Sequence, residues 1–240
     1  MDIRILNNAQ EIAQAVGDIF SAQLKEQPRS ILGLATGASP VPTYQYLIDL
    51  YKKGKISFKD VKTFNLDEYC DLPREDRNSY YSFMFENLFS HVDILPENVN
   101  ILDGNAVDVD AECAGFDARI EKMGGIDIQL LGIGTNGHIG FNEPAEAFTE
   151  GTFKVKLTNS TIQSNKIYFP DGHMPRYALT MGIGSIMKAK KIILIATGEA
   201  KAQAVKAMAK GEVAPACPAS VLQNHADAVI FLDKAAASLL

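Results

Sequence analysis

Short uninterrupted apolar runs alternate along the chain with stretches in which apolar residues recur at helical spacing. The runs are SILGLA (30–35), VKTFNL (61–66), DIQLLG (127–132), KIILIA (191–196) and ADAVIFL (226–232). They lack the in-out alternation of a half-exposed strand, which predicts strands covered on both faces. Between them, Ala9 to Gln27 carries apolar residues at 12, 13, 16, 19, 20 and 24, close to the spacing of an amphipathic helix. The stretches 44–53, 79–89, 110–122 and 200–210 read the same way. Strand-helix alternation over the whole length predicts an α/β fold, a doubly wound and mostly parallel sheet flanked by helices. No linker, repeat or low-complexity segment interrupts it, so one domain over residues 1–240 is expected.

In such sheets ligands bind beyond the carboxyl ends of the strands. Four predicted strands lead into polar segments: Thr36-Gly37-Ala38-Ser39-Pro40, Asp67-Glu68-Tyr69, the glycine-rich GIGTNGHIGFNEP (132–144), and Thr197-Gly198-Glu199-Ala200-Lys201. In the first, Ser39 is a natural N-cap and Pro40 suits a first helical position, which would make an anion site of the turn. No Walker lysine follows, so a sugar or metabolite phosphate fits better than a nucleotide. Lys201 can supply a point charge for the same anion, although a solvated surface lysine is the commoner role. Asp67 is a candidate general base if burial raises its pKa; Asp67 and Glu68 would otherwise serve as turn or helix-capping acids.

The third segment begins G-x-G-x-x-G. A dinucleotide site would need a helix straight after the glycines and an acid about 20 residues on. Gly140 and Pro144 oppose that helix, and Lys154 and Lys156 stand where the acid is wanted. The loop reads instead as one that presents His138, with Asn136 and Glu143 placed to orient the imidazole. A histidine merely satisfied in the core is the alternative. His91, His173 and His225 have no acid or cysteine at metal-ligand spacing, so no metal is expected.

Composition narrows the classes. Of 240 residues, 47% are hydrophobic and 22% charged, and the net charge is −6. A net acidic chain is not built for nucleic acid, so an anionic ligand must be held locally. Cys70, Cys113 and Cys217 are odd in number and far apart, which argues for free thiols in a reducing compartment. The N-terminal MDIRILNN is no signal peptide, and no apolar run reaches membrane-spanning length. A cytoplasmic location is expected.

GLATGASPVPTY, TFNLDEY, NSYYSFM and LLGIGTNGHIGFNEP, in that order, resemble the glucosamine-6-phosphate deaminase (isomerase) family. The resemblance runs from about Ile31 to Leu232. It implies a Rossmann-like fold shared with 6-phosphogluconolactonases, and conversion of glucosamine 6-phosphate to fructose 6-phosphate and ammonia with no cofactor. It implies a catalytic set of Asp67, Asn136, His138 and Glu143, with Asp67 as base and His138 as the ring-opening group. The phosphate would lie on Thr36, Gly37, Ala38 and Ser39 near Lys201. Several family members carry aspartate at the place of Asn136, so this histidine is expected to protonate less easily. Members also place an arginine on the phosphate from the segment matching Ser164-Asn165-Lys166-Ile167-Tyr168; this chain offers Lys166. Longer members are allosteric hexamers activated by N-acetylglucosamine 6-phosphate, whereas this chain resembles the shorter type, a monomer or homodimer. A lactonase on the same scaffold and a non-catalytic sugar-phosphate sensor are the alternative functions. The sensor lacks the length or basic helix for a DNA-binding module.

Overall fold

A computed structural model describes residues 1–166, 169 and 174–240. The chain opens with β1 (Asp2–Leu6), α1 (Ala9–Glu26), β2 (Ile31–Leu34) and α2 (Val41–Lys52). It continues through β3 (Lys62–Asn65), β4 (Asp67–Tyr69), α3 (Tyr80–Asn87), β5 (Val99–Asn100), α4 (Val109–Lys122) and β6 (Ile128–Leu131). The last part holds β7 (Phe153–Lys156), α5 (Asn159–Asn165), β8 (Tyr177–Thr180), α6 (Ile183–Met187), β9 (Lys191–Ala196), α7 (Ala202–Lys210) and β10 (Ala228–Asp233).

Seven strands form one sheet in the order β1-β10-β9-β6-β2-β3-β5. Every pairing in it is parallel. The apolar runs lack alternation because both faces of the sheet are covered. Leu32, Leu34, Ile128, Leu130, Ile193 and Ile195 pack with Ile12, Val16 and Phe20 of α1 and Tyr44 and Leu47 of α2. Their neighbours Ile31, Leu131, Ile192 and Leu194 pack on the other face with Phe116 of α4, Ile186 of α6 and Val205 and Met208 of α7. At roughly 1.5–3 kcal/mol per fully buried large apolar side chain, these two cores dominate the driving force. Among the described residues no helix is long and apolar enough to cross a membrane.

A second, three-stranded antiparallel sheet, β4-β8-β7, was not expected from the sequence. Its signals are weak because its strands are short, but FKVK of β7 does alternate in burial, half-buried to exposed. Asp67, expected at the end of a main-sheet strand, instead is the first residue of β4 in this second sheet, directly opposite Thr180. The chain leaves the main sheet at Leu66, whose amide still donates to Leu34 O at 3.1 Å and whose carbonyl accepts from the Met181 amide at 2.8 Å.

The parallel order puts all carboxyl ends of the main sheet on one edge. The strands leading into the four polar segments are contiguous there, as β9-β6-β2-β3. From β2 the chain winds outward to β3 and β5, then returns to β6 on the other side. The β2–β6 boundary is thus the topological switch point, where an open α/β sheet leaves a crevice.

Candidate active site

The turn after β2 carries Thr36, Gly37, Ala38 and Ser39, with Gly37 and Ala38 exposed and the other two half-buried. Tyr44 of α2 ties its start down, donating from Oη to Ala35 O at 2.6 Å. Ser39 is not the N-cap that its type suggested. Helix α2 begins at Val41, the cap position is Pro40, and no side chain caps it. Pro40 already has helical backbone angles, φ −80° and ψ −17°, and its carbonyl accepts the first helical bond from the Tyr44 amide at 3.0 Å. Its helical geometry moves the start one residue along, and the Ser39 hydroxyl has no hydrogen bond among the described residues.

The neighbouring acids have divided roles. Glu68 is a structural cap. Its Oε1 accepts from the amides of Tyr69 and Tyr80 at 2.8 and 2.9 Å, and its Oε2 from that of Tyr81 at 2.8 Å. Three amide donors suit a buried carboxylate and anchor the start of α3. Asp67 is equally buried, at 6% exposure, yet forms no hydrogen bond or ion pair among the described residues. Burial first, and the adjacent Glu68 charge second, push its carboxyl up to about 8. An unpartnered carboxylate at this depth binds a proton readily, as a base that must take and return one should.

The glycine-rich loop contains no helix, so the dinucleotide pattern at 132–137 has no dinucleotide architecture behind it. Its glycines serve clearance. A Cβ at Gly134 would sit 2.2 Å from Cε1 of His138, so the backbone there must be bare for the imidazole to pack across it. The clearance therefore goes to the histidine itself. Gly140, at φ 57°, brings the loop against Asp67: a Cβ there would lie 3.0 Å from Thr180 Oγ1 and 3.5 Å from Asp67 Oδ2. Thr180 joins the two regions, pairing with Asp67 across the small sheet and accepting the Phe141 amide at 3.1 Å. Aromatic packing reinforces the junction, with Tyr80 stacked on Phe141 at 6.1 Å and Tyr69 tilted against Tyr80 at 4.7 Å.

Hydrogen bonding fixes the state of the histidine. Asn136 Nδ2 donates to Glu143 Oε2 at 2.7 Å, which turns Asn136 Oδ1 toward His138. That oxygen accepts the His138 backbone amide at 3.2 Å and lies 2.7 Å from His138 Nδ1. An amide oxygen cannot donate, so Nδ1 carries the proton and Nε2 of the neutral ring is bare. Glu143 Oε2 stands 3.5 Å from Nδ1. Burial would push the Glu143 carboxyl up. Bonds from His138, Thr161 and Asn136 outweigh it and hold the group at about 2. Asn136, though uncharged, thus links the imidazole to an anion. Neighbouring Asn142 is structural: its buried amide donates to Ile139 O and Met181 O, both at 2.9 Å.

Lys201 ends a tight turn, Glu199–Lys201, at the start of α7 beyond β9. It is half-buried, and that burial lowers its pKa. No carboxylate pairs with it among the described residues. Lys166 is exposed at the end of α5, and the structure brings it against none of the other site residues. Ile167, Tyr168 and His173 lie outside the described residues. His225 is a core histidine bonded to Ala189 O at 2.8 Å, and His91 lies 2.8 Å from Glu86 O. Among the described residues no three His, Cys, Asp or Glu side chains cluster as a metal site. Sequence reasoning missed Thr158 and Thr161, which donate to Glu143 Oε1. The Thr-x-x-Thr spacing of a helix start was the available signal, since Thr158 caps α5.

These features define an α/β protein whose buried carboxyl and hydrogen-bonded imidazole lie beyond the carboxyl ends of a parallel sheet. Residues 7–231 match the family described as glucosamine-6-phosphate isomerases/6-phosphogluconolactonase. The glucosamine-6-phosphate deaminase of Thermoanaerobacter pseudethanolicus is 49% identical over 100% of this chain and 95% of its own. That of Alkaliphilus oremlandii is 46% identical over 100% of both chains. Among solved structures, a monomeric glucosamine-6-phosphate deaminase superposes with a TM-score of 0.97 at 42% identity, covering 100% of each chain. The 6-phosphogluconolactonase of Thermotoga maritima shares the fold, with a TM-score of 0.78 at 18% identity over 97% of this chain and 99% of that one. The chain belongs to the glucosamine-6-phosphate isomerase/6-phosphogluconolactonase family.

Proposed function

We propose that this chain is a glucosamine-6-phosphate deaminase, converting glucosamine 6-phosphate and water to fructose 6-phosphate and ammonia. The observation that carries the reading is that the loop holding the oriented imidazole of His138 lies, at Gly140, against buried Asp67, which has no hydrogen-bond partner among the described residues. The closed sugar binds with its phosphate on Thr36, Gly37, Ala38 and Ser39, with Lys201 supplying positive charge. The bare Nε2 of His138 takes the proton of the anomeric hydroxyl and delivers it to the ring oxygen, opening the ring. Asn136 and Glu143 steady the ring through this transfer. Asp67 then takes the C2 proton and returns it at C1, and water releases ammonia from the resulting C2 imine. Proton transfers and positioning suffice, so the chemistry calls for no metal or organic cofactor. The enzyme works in the cytoplasm as one catalytic unit, monomeric or homodimeric.

A coupled assay for fructose 6-phosphate, with ammonia measured in parallel and a chelator present, tests the reading. Equimolar release of both is expected. Hydrolysis of 6-phosphogluconolactone without amino-sugar turnover would replace deamination with lactonase chemistry.

A further inference from the structure

Glu143 binds its partners with a clear division of labour. Oε2 faces Asn136 Nδ2 at 2.7 Å and His138 Nδ1 at 3.5 Å. Oε1 turns the other way, to α5, accepting from the hydroxyls of Thr161 and, at 3.2 Å, Thr158. Thr161 is buried, at 6% exposure, and its amide is held by Thr158 Oγ1 at 3.3 Å. The far end of α5 is moored as well, since Asn165 Nδ2 donates to Tyr69 Oη at 3.0 Å. A carboxylate can rotate about its last bond unless both oxygens are engaged. The Oε1 contacts therefore decide where Oε2 points. Oε2 in turn decides which end of the Asn136 amide faces His138.

We infer that Thr161 is a positioning residue for His138: by holding Oε1 of Glu143 it orients the Asn136 amide and so fixes the proton of the imidazole on Nδ1. Without that hydroxyl Glu143 swings, Asn136 is free to flip its amine toward Nδ1, and the ring proton moves to Nε2. A ring protonated there cannot take the proton of the anomeric hydroxyl. The role in ring opening rests on the function proposed above; the tautomer does not.

Nitrogen NMR of the imidazoles tests this without substrate, with the His138 signals assigned by their loss in His138→Gln. The chain as it stands is expected to show the Nδ1–H tautomer at His138. Thr161→Val is expected to show a mixture of tautomers, with kcat on closed-ring glucosamine 6-phosphate down about tenfold and KM little changed. Thr161→Ser, which keeps the hydroxyl, should restore both. Glu143→Gln gives a second route: it should also mix the tautomers, and adding Thr161→Val to it should change nothing further. A pure Nδ1–H tautomer in Thr161→Val, or additive effects of the two substitutions, would overturn the assignment. Failure of the unsubstituted chain to release fructose 6-phosphate would overturn the functional reading, while the tautomer still decides the role of Thr161.

Discussion

Two carboxylates in the site have opposite surroundings. Asp67 is buried beside another acid with no hydrogen-bond donor among the described residues, and its carboxyl rises to about 8. Glu143 is also mostly buried, yet bonds from His138, Thr161 and Asn136 outweigh that burial, and it is held at about 2. Burial acts in the same direction on both, so the donors make the difference. Glu68 shows the same contrast one residue away from Asp67, with three backbone amides on its carboxylate. Which acid is given partners therefore decides its protonation: Asp67 binds a proton readily, and Glu143 stays charged. The proposed division of labour, Asp67 as base and Glu143 as support for His138, rests on that difference.

The sharpest break of this comparison is Asp67→Asn, which is expected to cost activity by about 10³ or more while stabilising the fold. A raised native pKa means the native state binds more protons than the unfolded chain between the ordinary carboxylate value and about 8. The group therefore erodes stability progressively as pH rises through that window and is harmless below it. Asparagine removes the erosion, so at pH 8 the urea midpoint should rise. A lower midpoint at that pH would mean that Asp67 has native partners. In the unsubstituted enzyme kcat/KM should climb with pH to a plateau above about 8; a flat profile from pH 6 to 9, read in steady-state assays, would remove Asp67 as the base.

Glu143→Gln should cut kcat by about 10² and move stability the other way. Its native pKa is lowered, so its stabilisation is present above the ordinary glutamate value and is lost as pH falls toward 2. Unfolding at pH 7 should show a loss of about 2 kcal/mol, and a gain would contradict the partnered state.

Gly140→Ala should do moderate harm through geometry. It places a methyl 3.0 Å from Thr180 Oγ1, at a φ of 57° that side chains rarely adopt. A stability loss of about 1–2 kcal/mol is expected, with kcat reduced as the 138–140 backbone is pushed from Asp67. Thermal melts and assays on the same preparation would expose a neutral substitution.

Asn136→Asp gives the smallest effect. It replaces the amide that donates to Glu143 Oε2 at 2.7 Å with a second carboxylate, so Glu143 loses a donor and meets a like charge. Urea unfolding at pH 7 should show a loss of about 1 kcal/mol. An unchanged midpoint would show that the Asn136–Glu143 bond adds nothing to the fold.

Much of this was legible in the residues. Apolar runs without alternation predicted a sheet covered on both faces, because a strand buried on both sides has no polar face to show. The order of the four motifs predicted the family, and Gly140 and Pro144 excluded a dinucleotide helix from the 132–144 loop. Ser39 misled, because the backbone angles of Pro40 rather than side-chain preference set where α2 begins. The antiparallel β4-β8-β7 sheet was missed because its strands are of three or four residues, too short for periodicity to register.

Sequence by itself determined the layers of the fold, the residue types in the site and the non-helical, glycine-rich character of the loop that carries His138. Those are local properties, written in apolar spacing and in glycine. Only the tertiary structure decided that Asp67 has no partner among the described residues while Glu143 has several, that Glu68 caps α3, and that the His138 proton sits on Nδ1. The partnered acids depend on donors brought from distant segments: Thr161 of α5 for Glu143, and the Tyr80 and Tyr81 amides of α3 for Glu68. A carboxylate's pKa is set by what surrounds it in space, and the chain near it in sequence does not contain that information.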